Sequence, residues 1–498
     1  MTDAVAFTPH RWQLDAIAAY ETLGGVFVAA DPGTGKTYVA ARIAAARPRP
    51  LLLTPAPRQA LAQLRSYGVT AYLAADRKAA ARGARGHVAI ATYAWLTRKE
   101  QAEYLTNGRF SDVLLDEYHM VRGFEHSARR RIERELVARP EVRVAVFTAS
   151  PMSGRIHDFA FGLRWALRSR VRHLIPPLVS GLDALEDHLS RSPSAREDFR
   201  RRLEATPGVW LAVDAGHYPG TVRFEILRPP GGPAARLPAT WVTPGGLAVK
   251  SAAHAAEVDR QLAWGFYLDA DPRPSERYLE ARRRWGSIVR RVAATGLADT
   301  EEQVRDVEPA AYAWWVREAA HEGEVAETTP RWLPEGERLL RWVDQTVGEY
   351  SRRFDSPPLV WADHRALQDA VSRVDGGARY RLHREGCRDP MRRLPSEHEF
   401  PAVLSIDACY QSYNLQADRF VNLILEPQAD PERMKQLIAR TARQGQPSAV
   451  VHVGIVLNGP RAENALRVAY DRAILVKELT GKANPLLTLD PETFTKGT

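Results

Sequence analysis

Short apolar runs alternate with longer mixed stretches over the first 155 residues. "GVFVAA", "PLLLTP", "HVAIATY", "SDVLLDE" and "VRVAVFTAS" are near-continuous apolar blocks. Strands buried on both faces of a parallel sheet need that pattern, whereas half-exposed strands alternate. The segments between them suit helices, so the region predicts an α/β domain.

From about residue 156 the pattern loosens. "VWLAVDAG" and "TVRFEILRPP" read as strands, and "RPPGGPAARLP" as a loop. "SAAHAAEVDRQLAWGFYL", "PSERYLEARRRWGSIVRRVAA" and "AAYAWWVREAAH" predict helices. Strand–helix alternation resumes near 336. "RLLRWVDQTVGEYSRRF" predicts a helix, "PPLVWA", "PAVLSID", "RFVNLILE" and "AVVHVGIVLNG" strands, and "RAENALRVAYDRAILVKEL" a closing helix. "DPERMKQLIARTAR" reads as a helix capped by Asp430 with Pro431 at its first position. The expected organisation is residues 1–155 as a first lobe, 156–335 as a mainly helical accessory insertion, 336–480 as a second lobe and 481–498 as a tail.

The chain has 498 residues, enough for several domains, and no internal repeat. It lacks a run of about 18 apolar residues, so no membrane span is expected. The opening "MTDAVAFTPHRW" does not read as a signal peptide. Two cysteines, Cys387 and Cys409, support neither a disulfide framework nor a zinc site and point to a reducing interior. A net charge of +9 fits a soluble basic surface or a polyanionic partner, most simply nucleic acid.

The chemistry begins at "ADPGTGKT". Ala30 stands where a phosphate loop usually starts with glycine, while Gly33 and Gly35 remain, with Thr34 between them. Such glycines let backbone N–H groups turn inward around phosphate oxygens; Lys36 can reach the outer phosphates and the Thr37 hydroxyl can ligate magnesium. The helix that follows points its positive end at the same place. In "DVLLDEYH" an apolar strand ends in two carboxylates. Asp116 is the candidate magnesium ligand, and Glu117 the candidate group that orients or deprotonates water.

Together these residues resemble a superfamily 2 helicase-type motor, most closely the Swi/Snf-like DNA translocases, including phage-encoded forms. The resemblance covers roughly residues 7–155 and 355–457. It implies two RecA-like lobes with parallel sheets around the accessory insertion. It makes Gln13 of "RWQLDAI" an adenine-reading residue, and Thr54, Pro55, Thr92 and Tyr93 nucleic-acid contacts. It gives His119, Thr148 and Ser150 the coupling of nucleotide state to motion. In the second lobe, "QLIARTARQGQ" is similar to the family's arginine element, with Gln436, Arg440, Arg443, Gly445 and Gln446 matching and Ala439 in place of a glycine. Arg440 and Arg443 would face the γ-phosphate, and Gln436 would serve coupling. "CYQSYNLQAD" keeps Asn414, a nucleic-acid contact, with Leu415 and Gln416, but has Tyr410 and Ser412 where glycines are expected.

The resemblance implies an ATP- and Mg2+-dependent translocase or helicase acting on DNA, duplex favoured, in replication, recombination or repair, alongside other proteins of those processes. The expected location is cytoplasmic and nucleoid-associated, in a bacterial or phage-infected cell, with no membrane partner. An RNA helicase, a nucleic-acid-binding scaffold with an impaired ATPase, and an unrelated nucleotide switch stay open. Trp314, Trp315 and Tyr312 suit either base stacking or a core. Arg200–Arg202 and Arg282–Arg284 suit either phosphate tracking or a solvated helix face.

Overall fold

The computed structural model describes residues 8–495 other than 32–33, 77–86, 102, 109, 122–126, 177–178, 214–219, 241, 246–248, 250–251, 271–274, 296–300, 321–327, 375–379, 384–399, 410–414, 416–418 and 443–445. The chain forms two compact units. One comprises residues 1–215, 276–321 and 475–482, the other 216–275, 322–474 and 483–498.

The first unit is built on seven strands: β1 (Gly25–Ala30), β2 (Pro50–Leu53), β3 (Ala71–Leu73), β4 (Val88–Ala91), β5 (Asp112–Leu115), β6 (Arg143–Thr148) and β7 (Val209–Val213). All pair in parallel, in the order β3-β4-β2-β5-β6-β1-β7. The continuous apolar runs now have their reason. Phe27, Leu53, Leu115 and Val146 pack on one face, with the helices Ser127–Ala138 and Ile156–Leu167. Val28, Leu52, Leu114 and Phe147 pack on the other, with the helices Arg11–Leu23 and Lys36–Ala45. Along these central strands both side-chain sets are largely buried, which favours apolar residues on each.

The second unit carries a six-stranded sheet from β8 (Thr221–Leu227), β11 (Leu359–Ala362), β12 (Arg381–His383), β13 (Ala402–Ser405), β14 (Val421–Ile424) and β15 (Val450–Val456). Its order is β12-β13-β11-β14-β15-β8, again parallel at every pairing. A separate antiparallel pair joins β9 (Phe266–Ala270) to β10 (Thr328–Trp332). The molecule is thus α/β with two parallel sheets, as the apolar runs predict.

Three differences have local causes. "GFYL" is read as helix from the sequence, but Gly265 adopts φ 82 and ends the helix Ala252–Ala263, leaving Phe266 to open β9 against Trp332. Residues 156–335 do not form one body: β7 adds to the edge of the first sheet beside β1 and β8 to the edge of the second beside β15. The helix at Pro431 starts as expected, with Asp430 Oδ1 accepting from the backbone of Glu432 at 2.9 Å, but stops at Ile438. The Thr441 hydroxyl donates to the Ile438 carbonyl at 3.1 Å and accepts from Asn422 at 2.8 Å, and the Arg440 carbonyl accepts from Leu415. These bonds hold the chain in a turn.

Candidate active site

β5, β6 and β1 are consecutive neighbours in the first sheet, and their carboxyl ends bring together three of the sequence signals. Ala29 pairs with Thr148, and Leu115 with Val146, so the turns after these strands emerge side by side. Ligands of open parallel sheets collect at this edge.

β1 ends at Ala30, and Gly35, at φ 85, begins the helix Lys36–Ala45. That backbone conformation suits glycine because it lacks a Cβ. Gly33 lies outside the described residues. Lys36 is buried, and its ammonium donates to the carbonyls of Ala30 at 2.8 Å and Asp31 at 3.1 Å. Thr34 is also buried, its hydroxyl donating to the Asp31 carbonyl at 2.8 Å. Thr37 is half-buried in the first turn of the helix. Gln13 is fully buried: its amide donates to the Thr34 carbonyl at 2.9 Å, and its carbonyl oxygen accepts from His10 N–H at 2.8 Å. Gln13 therefore fastens the loop to the first helix.

Asp116 and Glu117 follow β5 directly. Asp116 Oδ2 accepts from the Thr54 hydroxyl at 3.0 Å, and its backbone carbonyl accepts from the Tyr93 hydroxyl at 2.7 Å. Burial and the neighbouring Glu117 charge raise the Asp116 pKa, against the opposing pull of Lys36 and Thr54. Burial would raise Glu117 too, but the adjacent His119 and the Lys36 charge outweigh that and hold it below the usual carboxylate range. Both carboxylates thus feel the Lys36 ammonium. His119 Nδ1 lies 3.3 Å from Glu117 Oε2. Glu117 sits at φ 50, in the left-handed region that non-glycine residues seldom occupy. Such strain concentrates at functional sites.

The residues expected to contact nucleic acid sit differently. Thr54 is 1% exposed and serves Asp116. Pro55 is half-buried one residue beyond it. Thr92 caps a short helix through Trp95 N–H at 2.9 Å, and Tyr93 is buried with its hydroxyl on Asp116. Thr148 is fully buried and accepts from Ser150 N–H at 3.1 Å, which joins two of the coupling candidates in one turn.

In the second unit Gln436 is buried in the helix Pro431–Ile438, and Arg440 is half-buried in the turn after it. Gln446 staples its own loop, donating to the Arg419 and Thr441 carbonyls. Asn414 and Arg443 lie outside the described residues, as do Tyr410, Ser412, Gln416 and Gly445.

The basic and aromatic clusters resolve as well. Arg200, Arg201 and Arg202 pair with Glu204 and Asp198 along their own helix. Tyr312 and Trp315 pack on a small core of Trp285, Val292 and Val304, and the Arg284 guanidinium lies 4.5 Å over the Trp314 ring. Arg282 and Arg283 remain exposed.

One residue in contact with the start of this loop carries no sequence motif. Lys482, 2% exposed, places its ammonium 3.0 Å from Asp31 Oδ1. The only warning in the sequence is a lysine directly after the Gly481 that ends an apolar-periodic helix.

Among solved structures, the Sulfolobus solfataricus SWI2/SNF2 ATPase core in complex with dsDNA is similar over 98% of this chain and 97% of that chain, at 10% identity and a TM-score of 0.37. Similarity that loose carries no residue correspondence, and the fold rests on the two parallel sheets themselves. No protein-family model matches the chain, and no curated protein does. Among the described residues no helix is long and apolar enough to cross a membrane.

Proposed function

We propose that the chain is a nucleic-acid-dependent ATPase, a DNA translocase or helicase of the Swi/Snf-like kind. The observation that carries this reading is the meeting of Lys36 with Asp116 and Glu117 at one sheet edge, behind a loop whose Gly35 opens a helix. The donor set suits a triphosphate and its divalent cation. An ammonium and a helix N-terminus take the anionic oxygens, while a hydroxyl and a carboxylate take the metal.

In this reading Lys36 would exchange its loop carbonyls for phosphate oxygens, and Thr37 and Asp116 would hold magnesium. Thr54 and Tyr93 keep Asp116 aimed. Glu117, kept ionised and braced by His119, orients the attacking water and accepts its proton. Bound magnesium–ATP would supply the phosphoryl group that water receives, with ADP as the leaving group. Arg440 and Arg443 are assigned guanidinium contributions to hydrolysis on the strength of their element alone. An arginine supplied this way is worth about 10³–10⁵ in rate. The net charge of +9 supports a polyanionic partner, for which duplex DNA is our choice.

ATP turnover measured with duplex DNA, single-stranded DNA and RNA at several salt concentrations tests the reading. Stimulation greatest with duplex DNA and weakening as salt rises is expected. Stimulation by RNA alone would make the enzyme an RNA helicase. Turnover indifferent to every polynucleotide would remove the motor assignment.

A further inference from the structure

The phosphate loop is gripped from the far end of the chain. The helix Pro460–Thr480 sends Val476 and Leu479 into the core that lines β1, β5 and β6, and Glu478 pairs with Arg196 at 2.5 Å. Gly481, at φ 73, ends the helix by returning its N–H to the Lys477 carbonyl at 2.8 Å. The buried Thr480 hydroxyl accepts from Lys482 N–H at 3.3 Å and fixes the turn. The Lys482 ammonium then meets Asp31 Oδ1 at 3.0 Å and the Ala149 carbonyl at 2.8 Å.

An ammonium taken out of water costs several kcal/mol unless its partners are well placed. An apolar residue would fill the space at lower cost. Here the ammonium is spent on the first residue of the phosphate loop and on the turn after β6, next to Thr148. Asp31 is thereby held twice, its carbonyl by Lys36 and its carboxylate by Lys482. A phosphate arriving at Lys36 competes for the first of these holds. The second does not depend on Lys36.

We infer that Lys482 is a positioning residue of the nucleotide pocket, fixing the phosphate loop against the end of β6 through the Asp31 carboxylate when Lys36 turns to a nucleotide. The inference rests on the nucleotide-binding reading above.

Equilibrium binding of a fluorescent ATP analogue with magnesium to the full chain, with thermal unfolding in parallel, tests it. Lys482→Met should weaken binding about tenfold, the scale of one hydrogen bond to a charged group. Asp31→Asn, which leaves the lysine in place, should weaken it comparably. The double variant should lose little more than either single one, and Lys482→Arg should recover part of the loss. Parental affinity in Lys482→Met would overturn the inference, as would losses that add in full. Should Lys482→Met fail to fold, Asp31→Asn decides alone, and parental affinity there overturns it. A parental chain that binds no analogue removes the nucleotide reading and this inference together; a parent that binds while both variants match it removes the inference only.

Discussion

Thr54 donates its hydroxyl to Asp116 from a position 1% exposed to solvent. That arrangement separates support of the carboxylate proposed to hold magnesium from contact with a polynucleotide. Thr54→Val should lower ATP turnover about tenfold, the worth of one charge-assisted hydrogen bond, while duplex affinity measured by fluorescence anisotropy stays parental. Loss of DNA affinity with normal turnover would return Thr54 to the nucleic-acid surface. Glu117→Gln keeps size and removes the proton acceptor. Turnover should fall about 10²-fold or more while nucleotide still binds; an unchanged rate would exclude Glu117 as the water-orienting group. The residue types and spacing made Lys36, Asp116 and Glu117 legible as candidates, and the fold brings the three together. Thr54 and Tyr93 were legible as motif positions but not in their contacts, because a hydroxyl that touches DNA and one that touches a carboxylate leave the same letter in the chain. Lys482 was not legible: its partner Asp31 is 451 residues away in sequence.

Elements are held in register by buried polar links as well as by apolar faces. Tyr20, on the helix Arg11–Leu23, donates its hydroxyl to Asp112 at the start of β5 at 2.7 Å, and Arg47 approaches the same carboxylate oxygen at 3.5 Å. Burial, followed by the Asp112 charge, pushes the Tyr20 hydroxyl far up, so it stays a donor. Tyr20→Phe removes that donor from a carboxylate that is 1% exposed and should cost about 1–3 kcal/mol of stability in denaturant unfolding. A cost near zero would mean that Arg47 alone satisfies Asp112. Strands were readable at this scale because burial on both faces leaves long apolar runs. Shorter edge strands were not: β3 and β12 have three residues each, too few to show a period. The end of the helix Pro431–Ile438 was hidden for another reason, since Asn422 and Thr441, which hold the turn, come together only in the fold.

For the whole molecule, two parallel sheets followed from the alternation of strand and helix runs. The distribution of residues 156–335 over both units did not, because nothing in the residues of β7 or β8 names the sheet that each one joins. The second unit carries its own charge network. His364 Nε2 lies 2.6 Å from Glu257, and Nδ1 bonds Glu426. Burial alone would lower the histidine pKa, but the two carboxylates outweigh it and hold it at about 10, against an ordinary 6.5. The raised pKa contributes stability that is complete below pH 6.5 and is lost as pH climbs towards 10. Glu257, drawn down to about 2 chiefly by its bond to His364, contributes stability above its ordinary 4.5 that is lost as pH falls towards 2. His364→Gln should therefore destabilise the unit by about 3 kcal/mol near pH 6, the scale of a broken buried pair, and by much less near pH 10. Equal losses at both pH values, read by thermal unfolding, would show that charge plays no part.

Magnesium-dependent binding of a fluorescent ATP analogue, compared between the parental chain and Lys36→Ala, addresses the account at its root. Saturable binding by the parent, with loss in the variant and duplex affinity retained, is the expected result. Equal binding by both chains, or none by either, would contradict a nucleotide pocket at the carboxyl edge of the first sheet.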